Sequence, residues 1–337
     1  MTAAPVADVG GAYPETRRAR DRFVVERRGD RQARDPFVHQ GVLVEDEPDA
    51  HGRLTRTATV FLTGRECPWR CVMCDLWQYT TVDDTPPGAI PLQIRAAVAL
   101  LPPRAEAPVA VKLYNAGSFF DPRAVPETDD PAIVDALAPF SHVIVESHPA
   151  LVGARTWRLR DALGERGISL EVAMGLETAH PQALDAINKG LTVERFASAA
   201  SALAAHGVSL RTFLLVHPPF VPRGEQRAWL SRSVGFADDC GAAAISLIPS
   251  RGGEGALEAI AHAAGFAPPL VRDVEEAACV ARAATSARVF VDLWDFERVT
   301  RCTACALSRH ERLRQFNLTQ KLGRADMCDA CGEVPAS

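Results

Sequence analysis

The stretch Thr57-Ala58-Thr59-Val60-Phe61-Leu62-Thr63-Gly64-Arg65-Glu66-Cys67-Pro68-Trp69-Arg70-Cys71-Val72-Met73-Cys74 joins a β-branched run to three cysteines spaced C-x3-C-x2-C. The run reads as a strand, and the glycine marks where it ends. Thiolates are the usual ligands of iron-sulfur clusters, and three of them leave a cluster that needs four one ligand short. A metal position open to a small molecule is the layout of a catalytic site. The alternatives are half of a zinc site and a chance group of buried thiols. A structural zinc wants four closed ligands, and the next sixty residues offer no obvious fourth, so the spacing suits iron better.

The rest of the chain supports an intracellular metalloprotein. It has 337 residues, of which 47% are hydrophobic, with a formal net charge of -5. That is enough for one large α/β domain and a small addition, and gives no global argument for nucleic acid. The longest apolar runs, such as Phe213-Leu214-Leu215-Val216, fall far short of the ~18 residues a bilayer crossing needs. The N-terminus is Ala/Pro/Gly-rich and then Arg-rich, without the apolar core of a signal peptide, so the expected location is the cytoplasm, with no membrane contact. Of nine cysteines, seven fall into two tight clusters, which in a reducing compartment read as metal ligands. Cys240 and Cys279 stand alone and read as core residues.

Past residue 57, short β-branched runs alternate with amphipathic helical stretches. The strand candidates are Ala58-Thr63, Val109-Tyr114, His142-Glu146, Leu170-Gly175, Ser209-Val216, Ala243-Ile248 and Val289-Leu293. Near-continuous apolar character is typical of parallel strands covered by helices. Polar residues gather just after the strands: the cysteine triplet, Asn115-Ala116-Gly117-Ser118, Glu146-Ser147-His148, Glu177-Thr178, His217 and Ser250-Arg251. One face collecting the chemistry is a barrel property, whereas a doubly wound sheet would place its site at a switch point. The expected fold is α/β, an incomplete (β/α)6 TIM-like barrel with a small C-terminal metal-binding appendage. Its expected divisions are an Arg-rich, partly disordered extension over 1-50, a core over 51-298 and a four-cysteine knuckle over 299-337. Eight arginines between Arg17 and Arg34 make the extension either a solvated arm or an RNA-contacting one.

These motifs resemble those of the radical SAM enzymes. The runs Lys112-Leu113-Tyr114-Asn115-Ala116-Gly117-Ser118-Phe119-Phe120-Asp121, Gly175-Leu176-Glu177-Thr178, Ile187-Asn188-Lys189-Gly190 and Leu214-Leu215-Val216-His217-Pro218-Pro219-Phe220 look like the group containing archaeosine synthase beta subunits and, more distantly, the Elongator catalytic subunit. The likeness spans roughly residues 55 to 331. It implies a 4Fe-4S cluster on Cys67, Cys71 and Cys74 that binds S-adenosylmethionine at its open iron. Reductive cleavage would then give a 5'-deoxyadenosyl radical. An electron donor such as flavodoxin or ferredoxin is implied, as is a tRNA or modified-nucleobase substrate. A small metabolite is the alternative substrate, and a non-catalytic metal-binding RNA adaptor is the alternative of a different class. Met73 stands where the group usually has an aromatic residue, and Ala116-Gly117-Ser118 replaces the usual Gly-Gly-Glu. The cofactor-binding set is then Cys67, Cys71, Cys74, Met73, Gly117, Ser118 and Glu177. Gly117 would allow close backbone approach, Ser118 would bond the amine or carboxylate, and Glu177 would accept from ribose hydroxyls. Glu146 and His148 are weaker candidates.

Cys302-x2-Cys305 and Cys328-x2-Cys331 form a second group with a closed shell of four thiolates. Spacing leaves zinc and an auxiliary 4Fe-4S cluster both open. Between the pairs lie Arg309, Arg312, Arg314, Lys321 and Arg324, a basic set that reads either as a knuckle gripping RNA phosphates or as a solvated helix face.

Overall fold

The computed structural model describes residues 13–102, 108–324 and 326–336, so residues 1–12 of the expected extension lie outside the described residues. Helix α1 (Arg17–Glu26) is followed by β1 (Gly41–Pro48), β2 (Leu54–Phe61) and α2 (Ala89–Ala99). Then come β3 (Ala110–Tyr114), α3 (Asp130–Ala136), β4 (His142–Glu146), α4 (Ala154–Gly164) and β5 (Ser169–Glu177). The chain continues through α5 (Pro181–Ala186), α6 (Val193–Ala205), β6 (Ser209–Val216), α7 (Gln226–Asp239) and β7 (Ala242–Pro249). It closes with α8 (Val271–Ala284), β8 (Arg288–Val291) and α9 (Thr303–Thr319). One eight-stranded sheet runs β1 to β8 in chain order. β1 is antiparallel to β2, and all later pairs are parallel.

The six helix-backed units from β2 to α8 are those read from the sequence. The incomplete barrel stands, extended by β8 and α9 at one edge and by β1 at the other. β1 lies N-terminal to the boundary expected at residue 51. Its acidic half, Glu45-Asp46-Glu47, gives no strand signal on its own.

Side chains alternate between the helix layer and the interior. Val111, Leu113, Val143, Val145, Val172 and Leu214 are fully buried. Their neighbours in sequence turn the other way and build an ionic layer. Glu47 of β1 pairs with Lys112 of β3, and lies 3.1 Å from Arg211 of β6. Glu171 of β5 takes Arg211 Nε at 2.7 Å and sits 3.6 Å from both Arg288 of β8 and His142 of β4. Groups from strands that are not neighbours in the sheet meet only across its interior. Burial pushes the Glu47 carboxyl up, but the Lys112 and Arg211 cations outweigh it and hold it at about 2.

The segment before β1 is folded onto this body in its described part. Phe23 and Val24 of α1 join the core. Arg20 pairs with Asp185 at 2.9 Å, and Arg34 donates to the Gln78 carbonyl at 3.2 Å.

Glu171→Ala would leave Arg211, only 2% exposed, and Arg288 without their shared carboxylate. Removing one partner of a buried pair costs about 3–5 kcal/mol. The expected outcome is a loss of that size in urea unfolding; a loss below about 1 kcal/mol would show that the ionic layer is slack.

Candidate functional site

The cysteine loop leaves β2 through Thr63 and Gly64. A Cβ on Gly64 would lie 2.9 Å from the Ala124 carbonyl, so only glycine lets the two loops approach this closely. Glu66 donates its amide to Thr81, and Val72 donates to Ile187, which caps α5. Gly253, after β7, packs its α-carbon against the Val72 carbonyl, leaving no room for a side chain. Asn188 donates to the Arg70 carbonyl and to Asp21 of α1, both at 2.8 Å. Glu66 is clamped by Arg28 at 2.6 Å, Arg31, and Arg70 at 3.1 Å. Five chain segments therefore fix the loop: those around Ala124, Thr81, Ile187 and Gly253, and α1 with the stretch after it.

Burial pushes each of the Cys67, Cys71 and Cys74 thiols up to about 12. Metal coordination would displace those protons. The three thiols also raise one another electrostatically.

Residues after β3 and β4 line the same face. Ala116 has φ 53°, which curls the amides of residues 115–117 into a concavity. The Glu146 carboxylate fills it, accepting the Asn115 amide at 2.7 Å. Burial outweighs these amides and pushes Glu146 up to about 7. Gly117 abuts the cysteine loop, its added Cβ falling 3.5 Å from the Cys67 nitrogen. The Asn115 carboxamide is fully buried with neither atom partnered. Such a group wants a ligand. Its signal was present in the Asn-Ala-Gly-Ser run, but sequence reasoning put the weight on Ser118.

Ser118 is placed differently from that expectation. It is fully buried, and its hydroxyl accepts the His148 amide at 2.5 Å, so it ties the loop after β3 to the loop after β4. Glu177, with φ 67°, pairs with Lys189 at 2.5 Å. Gly175 leaves the space this pair occupies. Burial works against the Lys189 charge, yet Glu177 and Cys71 outweigh it and hold the ammonium above the usual lysine range. Met73 packs, partly buried, against the core. His148 stacks on Trp69 with centroids 3.5 Å apart. Its Nδ1 accepts the Ala150 amide, so Nε2 donates to the Lys189 carbonyl at 3.2 Å. Burial and Lys189 push it down to about 3, in keeping with a neutral ring. The structure thus gathers Gly117, Glu177 and the weaker candidate Glu146 with the triplet, adds Asn115 and Lys189, and engages the Ser118 hydroxyl with the His148 amide.

Beside this face a cavity of about 150 Å³ opens at the ends of β7 and β8, lined by Ser250, Arg251, Asp292, Trp294 and Phe296 among others. Arg251 holds Asp292 at 2.9 Å, while the buried Ser250 hydroxyl has no partner.

The C-terminal cysteines come together. Sulfurs of Cys302 and Cys328 lie 4.0 Å apart, as do those of Cys305 and Cys331, and all four fall within 4.8 Å. The basic set between them is largely consumed. Arg309 and Arg312 are buried against Glu275, and Arg314 pairs with Glu311, so the expected phosphate grip is not formed by these three.

Glu146 gives a pH test. A carboxyl raised from about 4.5 to about 7 stays protonated in the folded chain after the unfolded chain has lost its proton. Between those values stability falls as pH rises, by about 1.4 kcal/mol per unit for one proton. Unfolding free energies at pH 5, 6 and 7 are expected to fall less steeply in Glu146→Gln by nearly that slope. Equal slopes would mean that Glu146 is ionised in the fold.

No protein-family model matches the chain. It is 27% identical over 301 residues to archaeosine synthase subunit beta of Methanosarcina acetivorans, covering 84% of this chain and 85% of that one. The corresponding protein of Thermococcus kodakarensis is 33% identical over 121 residues, covering 34% of this chain and 37% of that protein. Among solved structures, Methanocaldococcus infernus Elp3 lacking its N-terminus aligns with a TM-score of 0.49 at 14% identity, over 68% of this chain and 60% of that one. Among the described residues no helix is long and apolar enough to cross a membrane. A C-x3-C-x2-C triplet thus stands at the mouth of an incomplete barrel, in a chain similar over most of its length to an archaeosine synthase beta subunit.

Proposed function

We propose that Cys67, Cys71 and Cys74 hold a 4Fe-4S cluster with one iron open to S-adenosylmethionine, and that the enzyme modifies a nucleobase of tRNA. The observation that carries the cofactor reading is the unpartnered Asn115 carboxamide, buried beside a clamped cysteine loop with three neutral-trending thiols. When bound, cluster and cofactor together supply a 5'-deoxyadenosyl radical for hydrogen abstraction.

The chain's own residues then have separable tasks. Asn115 offers a donor and an acceptor to the polar end of S-adenosylmethionine. Gly117 keeps the approach to the cysteine loop open. Lys189, held by Glu177, places a positive charge near Cys71 and Cys67 and offsets the charge of the thiolates. Met73 offers a polarizable flank to the adenine ring. The cavity at the ends of β7 and β8 admits the reacting base, with Trp294 at its wall.

The RNA reading rests on the homologues and on exposed cations near the mouth. Arg17 and Arg195 are exposed and lie close enough to lower the His148 pKa, while Arg18 and Arg22 are also exposed on α1. Surface arginines of this kind position phosphates without reading sequence.

Anaerobically reconstituted, dithionite-reduced protein is expected to form 5'-deoxyadenosine, with a higher rate when archaeal tRNA is added. Cys71→Ala should lose iron and all cleavage. Asn115→Leu should keep its iron but bind S-adenosylmethionine about 10-fold or more weakly, since a hydrogen bond to a charged group contributes about 1.5–3 kcal/mol. Formation of no 5'-deoxyadenosine by iron-replete protein would leave a non-catalytic RNA-binding role. Unchanged cofactor affinity in Asn115→Leu would remove Asn115 from the site.

A further inference from the structure

The free edge of the barrel is finished by side chains. In β8 the amides of Val289 and Val291 point away from β7. Val289 donates to Gln320 Oε1 at 2.6 Å, and Gln320 Nε2 returns a bond to the Val289 carbonyl at 2.9 Å. Val291 donates to Asn317 Oδ1 at 2.8 Å, and Asn317 Nδ2 returns one at 2.9 Å. Two carboxamides, each giving and receiving, do what another strand would do. Residues i and i+3 of a helix are separated by about 4.5 Å along its axis, and residues i and i+2 of a strand by about 6.6 Å, a difference that side chains can span.

Asn317 lies in the last turn of α9 and Gln320 caps it, and the cysteine group sits at the other end. Cys302 precedes the first turn and Cys305 lies within it, while Cys328 and Cys331 arrive on the returning tail. The helix packs against both β1 and β8. With 17 residues it is about 25 Å long and turns as one body. Below the cysteines, Arg309 makes a two-point pair with the buried Glu275 of α8 at 2.6 and 3.1 Å and bonds Glu333 of the tail at 2.6 Å.

We propose that Cys302, Cys305, Cys328 and Cys331 hold one structural Zn2+, and that this ion, by fixing one end of α9, keeps Asn317 and Gln320 on the open edge of β8. The sulfur separations of 4.0 Å approach the roughly 3.8 Å of a tetrahedral ion with four thiolates. They are short for a cubane, in which each thiolate binds a different iron. The ion is then part of the barrel's closure and not only of a peripheral knuckle.

Metal analysis and hydrogen exchange of the β8 peptide test this on the full chain. Native protein should carry one zinc beyond its cluster iron. Cys305→Ser with Cys328→Ser should lose that zinc and exchange the β8 amides about ten-fold faster. Asn317→Ala with Gln320→Ala should keep the zinc and show the same acceleration, confined to β8. Where the cysteine variant is insoluble, native protein is compared before and after stripping with dipicolinate, and added Zn2+ should restore protection. Iron or no metal at these cysteines would overturn the zinc assignment. Unchanged β8 exchange after zinc loss would overturn the coupling, and unchanged exchange in the carboxamide variant would overturn the edge pairing.

Discussion

A curved parallel sheet that stops short of closing must still satisfy the amides of its last strand, because an unpaired buried backbone group costs as much as a lost hydrogen bond. Here that strand is β8, and Asn317 and Gln320 supply the missing partners. The position of α9 follows from this, and with it the burial of Glu275 between α8 and two arginines. Arg288, at the start of β8, reaches the Pro48 carbonyl of β1 at 3.1 Å, so the two sheet ends are tied without pairing as strands.

The mouth inherits its order from the loops that converge on it. The cysteine segment has no regular structure of its own, and its rigidity comes from Glu66, Val72 and Asn188 contacts with α1 and with the loops after β5 and β7. With the proposed cluster bound, the site would have to tolerate three buried thiolates. Lys189 and Arg70 stand near Cys67, and Arg28 near Cys74. Buried charge is stable only when compensated, so the Ile187-Asn188-Lys189-Gly190 run serves the site electrostatically as well as through backbone contacts.

Seven of the eight strands were legible because their apolar runs are local signals, and their bounds shift by only a few residues. β1 was not, because Glu45-Asp46-Glu47 looks solvated until Lys112 and Arg211, 65 and 164 residues away, are seen to pair with Glu47. Likewise Asn317 and Gln320 look like ordinary polar positions of a surface helix. The triplet and the four C-terminal cysteines were legible from spacing alone. The Ser118 hydroxyl accepts an amide from His148, in another loop, which its own run does not announce. A hydroxyl's partner is a tertiary fact, whereas a thiolate's preference for metal is a chemical one.

The arginine-rich segment shows the same division between composition and placement. As a charge run it suggests an arm reaching for phosphate. In the fold Arg20, Arg28, Arg31 and Arg34 turn inward to Asp185, Glu66 and the Gln78 carbonyl, and Arg28 lies over the Trp77 ring at 5.1 Å. These four hold α1 across the loops that carry the cysteines. Arg17, Arg18 and Arg22 remain exposed on the same helix. The charge run therefore divides by placement: Arg20 on the helix and Arg28, Arg31 and Arg34 in the segment after it are used in internal contacts, while Arg17, Arg18 and Arg22 present cations beside the mouth. A polyanion bound to Arg17, Arg18 and Arg22 would lie on the helix whose Asp21 accepts from Asn188, the residue that also bonds the Arg70 carbonyl of the cysteine loop.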